Sequence, residues 1–296
     1  MSDYLSQYAD AGLYTMQGRL GAPEGGRFQS FPREGWMREI ENVREAGLRG
    51  IEWIYDLYGE GGNPLETAEG RAQLREALTA HEVSVVSICA DYFMDCPLLR
   101  CSDLEHEALL ERLRWLLGIC PEMGVTRVVL PFVDASSMRT EQEREQIIDA
   151  LGKVLPDAER HGVELHLETD LAPQPFASFL SRLPHPLVLV NYDAGNSASL
   201  GYCPREEFAA YGARIGSFHI KDRRLGSSTV PLGQGDTDFA ELLEQLRRFD
   251  YRGDFVLQVA RGEAGDEVRW LAQMADLACQ WLRGVALLEK KAEARL

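Results

Sequence analysis

Short apolar runs typical of β-strands alternate with amphipathic helical segments along almost the whole chain. One clear strand is residues 83–88, which are rich in β-branched side chains. Another is residues 163–168, where apolar and polar residues alternate strictly. Chains that alternate in this way form parallel strands connected by helices. We predict eight strands, at residues 13–16, 50–54, 83–88, 127–130, 163–168, 187–190, 215–219 and 255–258.

The number and spacing of these strands favour a single (βα)8 TIM barrel over other α/β folds. Eight strand–helix units in about 250 residues, roughly 31 residues per unit, are typical of that barrel. A doubly wound nucleotide-binding sheet would carry a Gly-x-Gly-x-x-Gly turn after an early strand, and this chain has no such turn. We therefore predict one α/β domain over residues 1–296. It ends in a C-terminal helix that starts near Asp266 and in a charged helix end at residues 289–295.

Two of the helices carry a recognisable start signal. Ser102 is followed three residues later by Glu105, and Thr140 is followed in the same way by Glu143. In such a capping box the hydroxyl and the carboxylate satisfy backbone N–H groups of the first helical turn. We expect the first of these helices to reach Met123.

Composition and charge limit the class of function. The formal net charge of -16 at pH 7 argues against nucleic acid as a partner, because duplex binding requires a basic surface. No segment approaches the roughly 18 apolar residues of a membrane span, and no signal peptide is visible. The six cysteines form no Cys-x-x-Cys pair, which is typical of reduced intracellular thiols. We expect a cytoplasmic protein that binds small molecules, and the sequence is compatible with a homo-oligomer.

Polar side chains stand at the ends of the last four predicted strands: Glu168, Asp193, His219 and Gln258. The carboxyl ends of barrel strands meet at one rim, where the active sites of such barrels lie. Three oxygen donors and one imidazole suit Mn²⁺, Mg²⁺, Co²⁺ or Zn²⁺. Each residue alone is as well explained by a helix cap or a buried hydrogen bond. Because the four occupy equivalent positions, a site for one divalent ion explains them as well as these separate structural roles do.

Charged side chains near the same strand ends are candidates for contact with a substrate. A divalent ion can bind two adjacent oxygens of an open-chain ketose and stabilise the enediolate formed when a neighbouring C–H loses its proton. Lys221, Arg223 and Arg261 would then suit a phosphate or carboxylate, as would the glycine-rich loop at residues 231–236, which could equally be a simple turn. Arg19 and Glu52 could contact substrate hydroxyls or form ion pairs at the rim.

Seven short segments resemble those of one known superfamily. They are Met16-Gln-Gly-Arg-Leu20, Ile51-Glu-Trp53, Leu167-Glu168, Tyr192-Asp-Ala-Gly-Asn196, His219-Ile-Lys-Asp-Arg223, Pro231-Leu-Gly-Gln-Gly235 and Tyr251-Arg-Gly-Asp-Phe255. Over about residues 13–261 the chain is similar to the xylose-isomerase-like sugar phosphate isomerases and epimerases. The resemblance implies a (βα)8 barrel with one divalent metal ion at its carboxyl rim, held by Glu168, Asp193, His219 and the strand-eight residue, here Gln258.

Two residues depart from the pattern of the epimerases in that superfamily. Their strand-eight ligand is a glutamate that also transfers a proton, whereas the amide of Gln258 can coordinate an ion but cannot exchange a proton. The residue three after the strand-six aspartate is often His, and here it is Asn196, which we expect at the substrate. Two-base epimerisation would need another carboxylate such as Glu52. A one-base isomerisation, in which Glu168 moves the proton along one face of a cis-enediolate, tolerates the changes better.

The resemblance therefore implies a metal-dependent isomerase or epimerase of a sugar or sugar phosphate, with Glu168 as the principal base. Other functions remain open. Lys221 lies two residues beyond His219 and could form a Schiff base, as in a class I aldolase. With Gln258 in place of the glutamate, the barrel could instead bind a sugar without converting it. An abasic-site endonuclease would need a His-rich multi-zinc cluster, and the chain has only 6 histidines.

Overall fold

Helices and strands alternate through the chain as the sequence predicts. The computed structural model describes residues 5–11 and 13–285. In chain order the elements are α1 (Ser6–Ala11), β1 (Tyr14–Met16), α2 (Trp36–Asn42), β2 (Gly50–Ile54), α3 (Ala68–Ala80), β3 (Ser84–Cys89), α4 (Tyr92–Asp95), α5 (Asp103–Ile119), β4 (Arg127–Phe132), α6 (Glu141–His161), β5 (Glu164–Thr169), α7 (Pro173–Ser181), β6 (Val188–Asp193), α8 (Ala194–Leu200), α9 (Pro204–Tyr211), β7 (Ile215–Ile220), β8 (Asp222–Arg223), β9 (Thr229–Val230), α10 (Phe239–Arg248), β10 (Asp254–Leu257) and α11 (Glu267–Leu282).

Eight strands of the described chain close into one parallel barrel. Their order around the barrel is β1-β10-β7-β6-β5-β4-β3-β2, and β1 pairs with both β10 and β2. The short strands β8 and β9 form a separate antiparallel pair between the last two barrel strands of the sequence. The predicted (βα)8 barrel is confirmed. Its closure places the carboxyl ends of β5, β6 and β7 side by side.

The fourth strand runs farther than the sequence predicts. We expected it to end at residue 130 because Pro131 has no backbone N–H, yet β4 continues to Phe132. Pro131 lies opposite Glu168 of β5, and on its other side β3 has already ended at Cys89. Because parallel pairing uses alternate residues, the missing donor of Pro131 falls on that open side and interrupts no ladder.

The interior of the barrel holds polar side chains from several strands. His219 of β7 contacts Glu52 of β2, and His166 of β5 contacts Ser217 of β7, so these side chains point inward across the barrel. Together with Asn191 of β6 they are 0–2% exposed. Barrel interiors are usually filled by bulky branched residues. Because buried polar groups require partners, this interior forms a hydrogen-bonded network.

Apolar side chains fill the layer between the barrel and its outer helices. Phe218 of β7 stacks on Tyr192 of β6, with ring centroids 5.1 Å apart. On its other sides Phe218 contacts Phe255 and Trp281, the latter from α11. The Trp281 indole N–H donates to the carbonyl oxygen of Phe239 at 2.7 Å, which ties α11 to α10. The expected C-terminal helix thus packs directly on the barrel.

Both expected capping boxes are present. Ser102 and Glu105 begin α5, and Thr140 and Glu143 begin α6. The end of α5 differs from the prediction, because the helix does not reach residue 123. Pro121 cannot continue the α-helical ladder, and a 3₁₀ turn follows there instead.

Within residues 5–11 and 13–285, no helix is both long enough and apolar enough to cross a membrane. The charged segment at residues 289–295, for which the sequence predicts a helix end, lies outside the described residues.

Candidate active site

Three neighbouring strands bring Glu168, Asp193 and His219 together at the carboxyl rim. Asp193 ends β6 and lies in register with His219 of β7, while Glu168 lies near the end of β5. One ligand atom from each side chain lies within 4.8 Å of the others, and all three side chains are buried. Two carboxylate oxygens and an imidazole nitrogen at this separation fit a single divalent cation.

The charges of these side chains control one another. Burial and then the charge of Asp193 raise the pKa of Glu168 to about 7. Burial opposes ionisation of Asp193, but Lys221 and His219 outweigh it and lower the pKa of Asp193 to about 2. Burial alone would lower the pKa of His219, yet nearby carboxylates, Glu52 foremost, raise it to about 10. The electrostatic surroundings of Glu168, Asp193 and His219 therefore favour a positive charge between the three side chains, as a cation site requires.

Glu52 lies behind His219. Its Oε1 is 2.7 Å from Nε2 of His219, and its Oε2 accepts from the Ser87 hydroxyl at 2.5 Å. Glu52 has no exposed surface, and of the two roles predicted for it, contact with substrate hydroxyls or an ion pair at the rim, the structure shows an ion pair with His219. A carboxylate on the far nitrogen of a histidine fixes the ring and directs the other nitrogen towards a metal. Nδ1 of His219 accordingly faces Glu168 and Asp193, at 3.5 and 3.8 Å.

Lys221 joins the group to Gln258. Its ammonium donates to Asp193 Oδ2 at 3.1 Å, to Asn196 Oδ1 at 3.1 Å and to Gln258 Oε1 at 3.0 Å. The amide oxygen that we expected as a fourth metal ligand is therefore directed to Lys221. Gly195 leaves the space for this lysine, since a Cβ at that position would lie 2.5 Å from Lys221 Cγ. The amine is thus held by three acceptors of the site.

Asn196 touches the base candidate directly. Its side-chain Nδ2 donates to Glu168 Oε1 at 2.7 Å, and its Oδ1 accepts from Arg223 at 2.8 Å as well as from Lys221. Arg223 also donates to the carbonyl oxygen of Ser227. The structure thus brings Asn196 and Arg223, both expected at the substrate, into one hydrogen-bonded group with Glu168.

Arg19 and Arg261 hold the loop that follows β1. Arg19 donates to the carbonyl oxygens of Val259 and Phe28, and Arg261 donates to those of Phe28 and Gly21. Arg19 is almost fully buried, and burial together with the charge of Arg261 lowers its pKa to about 9. Both arginines, which we expected at the substrate, thus donate to backbone oxygens, and Arg19 also donates to Gln29 Oε1 at 3.1 Å.

The glycine-rich loop after β7 encloses an internal carboxylate. Backbone N–H groups of Gly233, Gly235 and Thr237 donate to Asp222 at 2.9, 2.8 and 3.2 Å. Asp222 is buried, and a Cβ on Gly235 would lie 2.1 Å from its Oδ1. We expected these glycines either to bind a phosphate or to form a turn. Their N–H groups point at Asp222 and are not free for a phosphate.

Two residues of the site were missed from the sequence. Asn191 donates to Glu168 Oε2 at 2.8 Å, and Gln29 contacts both Gln258 and Asp91, at 2.9 and 2.8 Å. Asn191 stands two residues before Asp193 on β6, so the period-two pattern of a strand already places it on the same face. Gln29 lies in a long loop and carries no such signal.

The fold and site define a TIM barrel with a buried Glu-Asp-His group at its carboxyl rim. A family model described as a xylose isomerase-like TIM barrel matches residues 40–278. The chain belongs to this family.

Several proteins of similar sequence or fold are sugar epimerases by name. L-ribulose-5-phosphate 3-epimerase UlaE of Shigella flexneri is 24% identical over 260 residues, which cover 84% of this chain and 89% of the epimerase. A xylose isomerase-like TIM barrel protein of Mycobacterium smegmatis in complex with magnesium aligns with a TM-score of 0.71 at 19% identity, covering 94% of this chain and 98% of that one. The structure of L-ribulose 3-epimerase aligns with a TM-score of 0.72 at 16% identity, covering 96% of this chain and 99% of that one.

Proposed function

We propose that the chain is a divalent-metal-dependent isomerase or epimerase of a small sugar or sugar phosphate, acting through an enediolate. The observation that carries the proposal is the convergence of Glu168, Asp193 and His219 within 4.8 Å at the rim of the barrel. The named ribulose epimerases among similar proteins support a ketose or ketose phosphate as substrate. The glycine-rich loop at residues 231–236 gives no support to a phosphorylated substrate, because the N–H groups of its glycines donate to Asp222.

Glu168, Asp193 and His219 would hold the ion. A divalent ion held there would polarise the substrate carbonyl and so make the neighbouring C–H more acidic. Gln258 could add its oxygen as a fourth ligand, since an amide oxygen has a second lone pair beside the one that accepts from Lys221 at 3.0 Å. In this proposal Glu52 keeps the His219 ring in place and does not meet the substrate.

Glu168 is the proposed base. Burial and Asp193 raise its pKa to about 7, which suits a group that must both take and return a proton near neutral pH. Asn196 and Asn191 hold its two oxygens at 2.7 and 2.8 Å. Gln258 cannot transfer a proton from the opposite face. We therefore favour proton transfer along a single face, which gives an aldose–ketose isomerisation, over a two-base epimerisation.

Deuterium incorporation from D2O tests the reaction whichever sugar is the substrate. The chelator-treated protein is incubated with Mn²⁺ and a panel of ketoses and ketose phosphates, and the labelled carbon is identified by NMR. Label at C1 supports isomerisation, whereas label at C3 supports epimerisation. Glu168→Gln should abolish incorporation because the amide cannot accept the proton. The matched control Glu159→Gln replaces a carboxylate on α6 that pairs with His185 at the surface, and it should keep full incorporation.

Two results would contradict the proposal. Full incorporation by Glu168→Gln would remove the assigned base. A ketose that binds the metal-loaded protein and exchanges no proton would favour the alternative of a barrel that binds sugar without converting it.

A further inference from the structure

Two asparagine amides hold the two oxygens of Glu168. Asn196 donates to Oε1 at 2.7 Å from the outer side, and Asn191 donates to Oε2 at 2.8 Å from inside the barrel. An amide can hold a carboxylate only with its NH2 end, because a carboxylate oxygen is an acceptor. What orients each amide therefore decides how firmly the carboxylate is held.

The outer amide is oriented by two cations. Asn196 Oδ1 accepts from Lys221 at 3.1 Å and from Arg223 at 2.8 Å, so its NH2 end must face Glu168. These cations lie at the rim, where the proposed substrate would also bind.

The inner amide is oriented by side chains deep in the barrel. Ser217 donates its hydroxyl to Asn191 Oδ1 at 2.6 Å. A serine hydroxyl has one proton, and that proton is used on Asn191. The Ser217 oxygen also contacts Nδ1 of His166, which lies 2.7 Å away. The hydrogen bonds from Ser217 to Asn191 and from Asn191 to Glu168 both point towards the Glu168 carboxylate.

The sequence around β7 makes room for the chain of hydrogen bonds. A Cβ at position 216 would lie 2.6 Å from Cε1 of His166, so Gly216 is needed for the ring to lie beside Ser217. His166, Ser217 and Asn191 are 0–2% exposed, so water does not compete for their hydrogen bonds. Reversal of the Asn191 amide would set its oxygen against an ionised Glu168 and its NH2 group against the donating hydroxyl of Ser217.

We propose that Asn191, Ser217 and His166 are positioning residues that fix the carboxylate plane of Glu168 from inside the barrel. They leave the remaining lone pairs of that carboxylate directed at the rim before any ion or substrate arrives. The inference rests on the proposed function of Glu168 as ligand and base. It adds a second support for Glu168 that is independent of Lys221 and Arg223. Groups that orient metal ligands in this way commonly change metal affinity when they are removed.

Ser217 offers the cleanest test. Ser217→Ala removes the donor that orients Asn191 and leaves the site residues themselves in place, whereas Ser217→Thr keeps a hydroxyl. The matched control is Ser136→Ala, which removes another buried serine hydroxyl, one that bonds to the carbonyl oxygens of Pro131 and Val133. It should lower stability without changing the site. Two quantities are measured: the exchange rate of the Asn191 side-chain NH2 protons with D2O in the ion-free protein, by NMR, and the Kd for Mn²⁺, by calorimetry.

We expect Ser217→Ala to speed amide exchange, and to weaken Mn²⁺ binding by about tenfold. Ser217→Thr and Ser136→Ala should match the wild type in both measurements, even where their thermal stability is lower. Unchanged exchange and Kd in Ser217→Ala would overturn the inference, as would an equal loss in Ser217→Thr, because the loss would then reflect packing and not the hydroxyl. A wild-type protein that takes up no Mn²⁺ would contradict the proposed function alone, since the amide exchange of the ion-free variants still decides the inference.

Discussion

At the scale of single residues, the site contains several buried ionisable side chains, whose charges would be unfavourable in a purely apolar interior. Glu168, Asp193 and His219 are all buried, and Glu52 lies directly behind them. Isolated charges in such surroundings are strongly unfavourable. They persist because each has an opposite charge or a donor within hydrogen-bond distance, as Lys221 is 3.1 Å from Asp193 and Glu52 is 2.7 Å from His219. The stability of the ion-free site therefore depends on its protonation.

The raised pKa of Glu168 predicts a dependence of stability on pH. The folded value of about 7 lies above the ordinary 4.5, so the folded protein retains a proton that the unfolded chain releases. The contribution of Glu168 to the free energy of unfolding is then fully present below pH 4.5 and is lost as pH rises through 7. Glu168→Gln cannot ionise, and the variant should gain stability relative to the ion-free wild type across this range.

Urea unfolding of both proteins at a series of pH values in the presence of a chelator measures this difference. Buried acids outside the site cancel in the comparison; Glu39, whose pKa burial raises to about 7, is present in both proteins. Stability curves that stay parallel between pH 4.5 and 7 would show that Glu168 titrates normally in the folded chain.

Alternation within strands predicts where the site residues lie, but it does not predict their partners. Glu168, Asp193 and His219 were expected from strand ends alone, and Asn191 follows from the same period of two. The contact of Glu52 with His219 joins residues 167 positions apart, and it exists only because closure of the barrel brings β2 near β7, with β1 and β10 between them.

At the scale of elements, the segment after β7 is built around Asp222. Three backbone N–H groups of the residues after β9 converge on its carboxylate, and Asp222 itself lies in β8, which pairs with β9. The conformation requires glycine at two places, since Gly233 has a φ of +82° and Gly235 has no room for a side chain. The sequence shows the glycines but not the direction of their N–H groups. A loop that binds a carboxylate of its own chain and a loop that binds a phosphate ligand would therefore show the same pattern of residues.

Gly235→Ala should destabilise the protein. The added Cβ would lie 2.1 Å from Asp222 Oδ1, so the loop must shift and weaken the hydrogen bonds to that carboxylate. We expect a loss of about 1–3 kcal/mol in the free energy of unfolding, as for other over-packed sites. The matched control is Gly152→Ala in α6, where a Cβ meets nothing within 4 Å and should be neutral or stabilising. Equal unfolding midpoints for the two variants in urea would show that the loop tolerates a side chain at position 235.

At the scale of the whole molecule, the barrel was predictable because each strand–helix unit carries its own pattern. The order of the strands then follows, since consecutive strands of a (βα)8 barrel lie next to one another. Its polar interior was less predictable. Residues such as His166 and Ser217 alternate correctly, yet only the closed barrel shows that they bond to each other across it. Because β5, β6 and β7 each contribute one residue to the proposed cation site, a bound cation would link three strands of the closed barrel and so affect the stability of the whole domain.

A bound divalent ion should therefore stabilise the whole barrel against heat. Ligand that binds only the folded chain at 100 times its Kd raises the free energy of unfolding by about 2.7 kcal/mol. At about 2–4 °C per kcal/mol for a large domain, Mn²⁺ should raise the Tm of the chelator-treated protein by roughly 5–10 °C. Asp193→Asn removes one of the carboxylates of the group and should lose most of this shift, whereas Asp149→Asn, on the exposed face of α6, should keep it. An equal shift in both variants would place the stabilising ion elsewhere on the protein, and no shift in the wild type would contradict the proposed metal dependence.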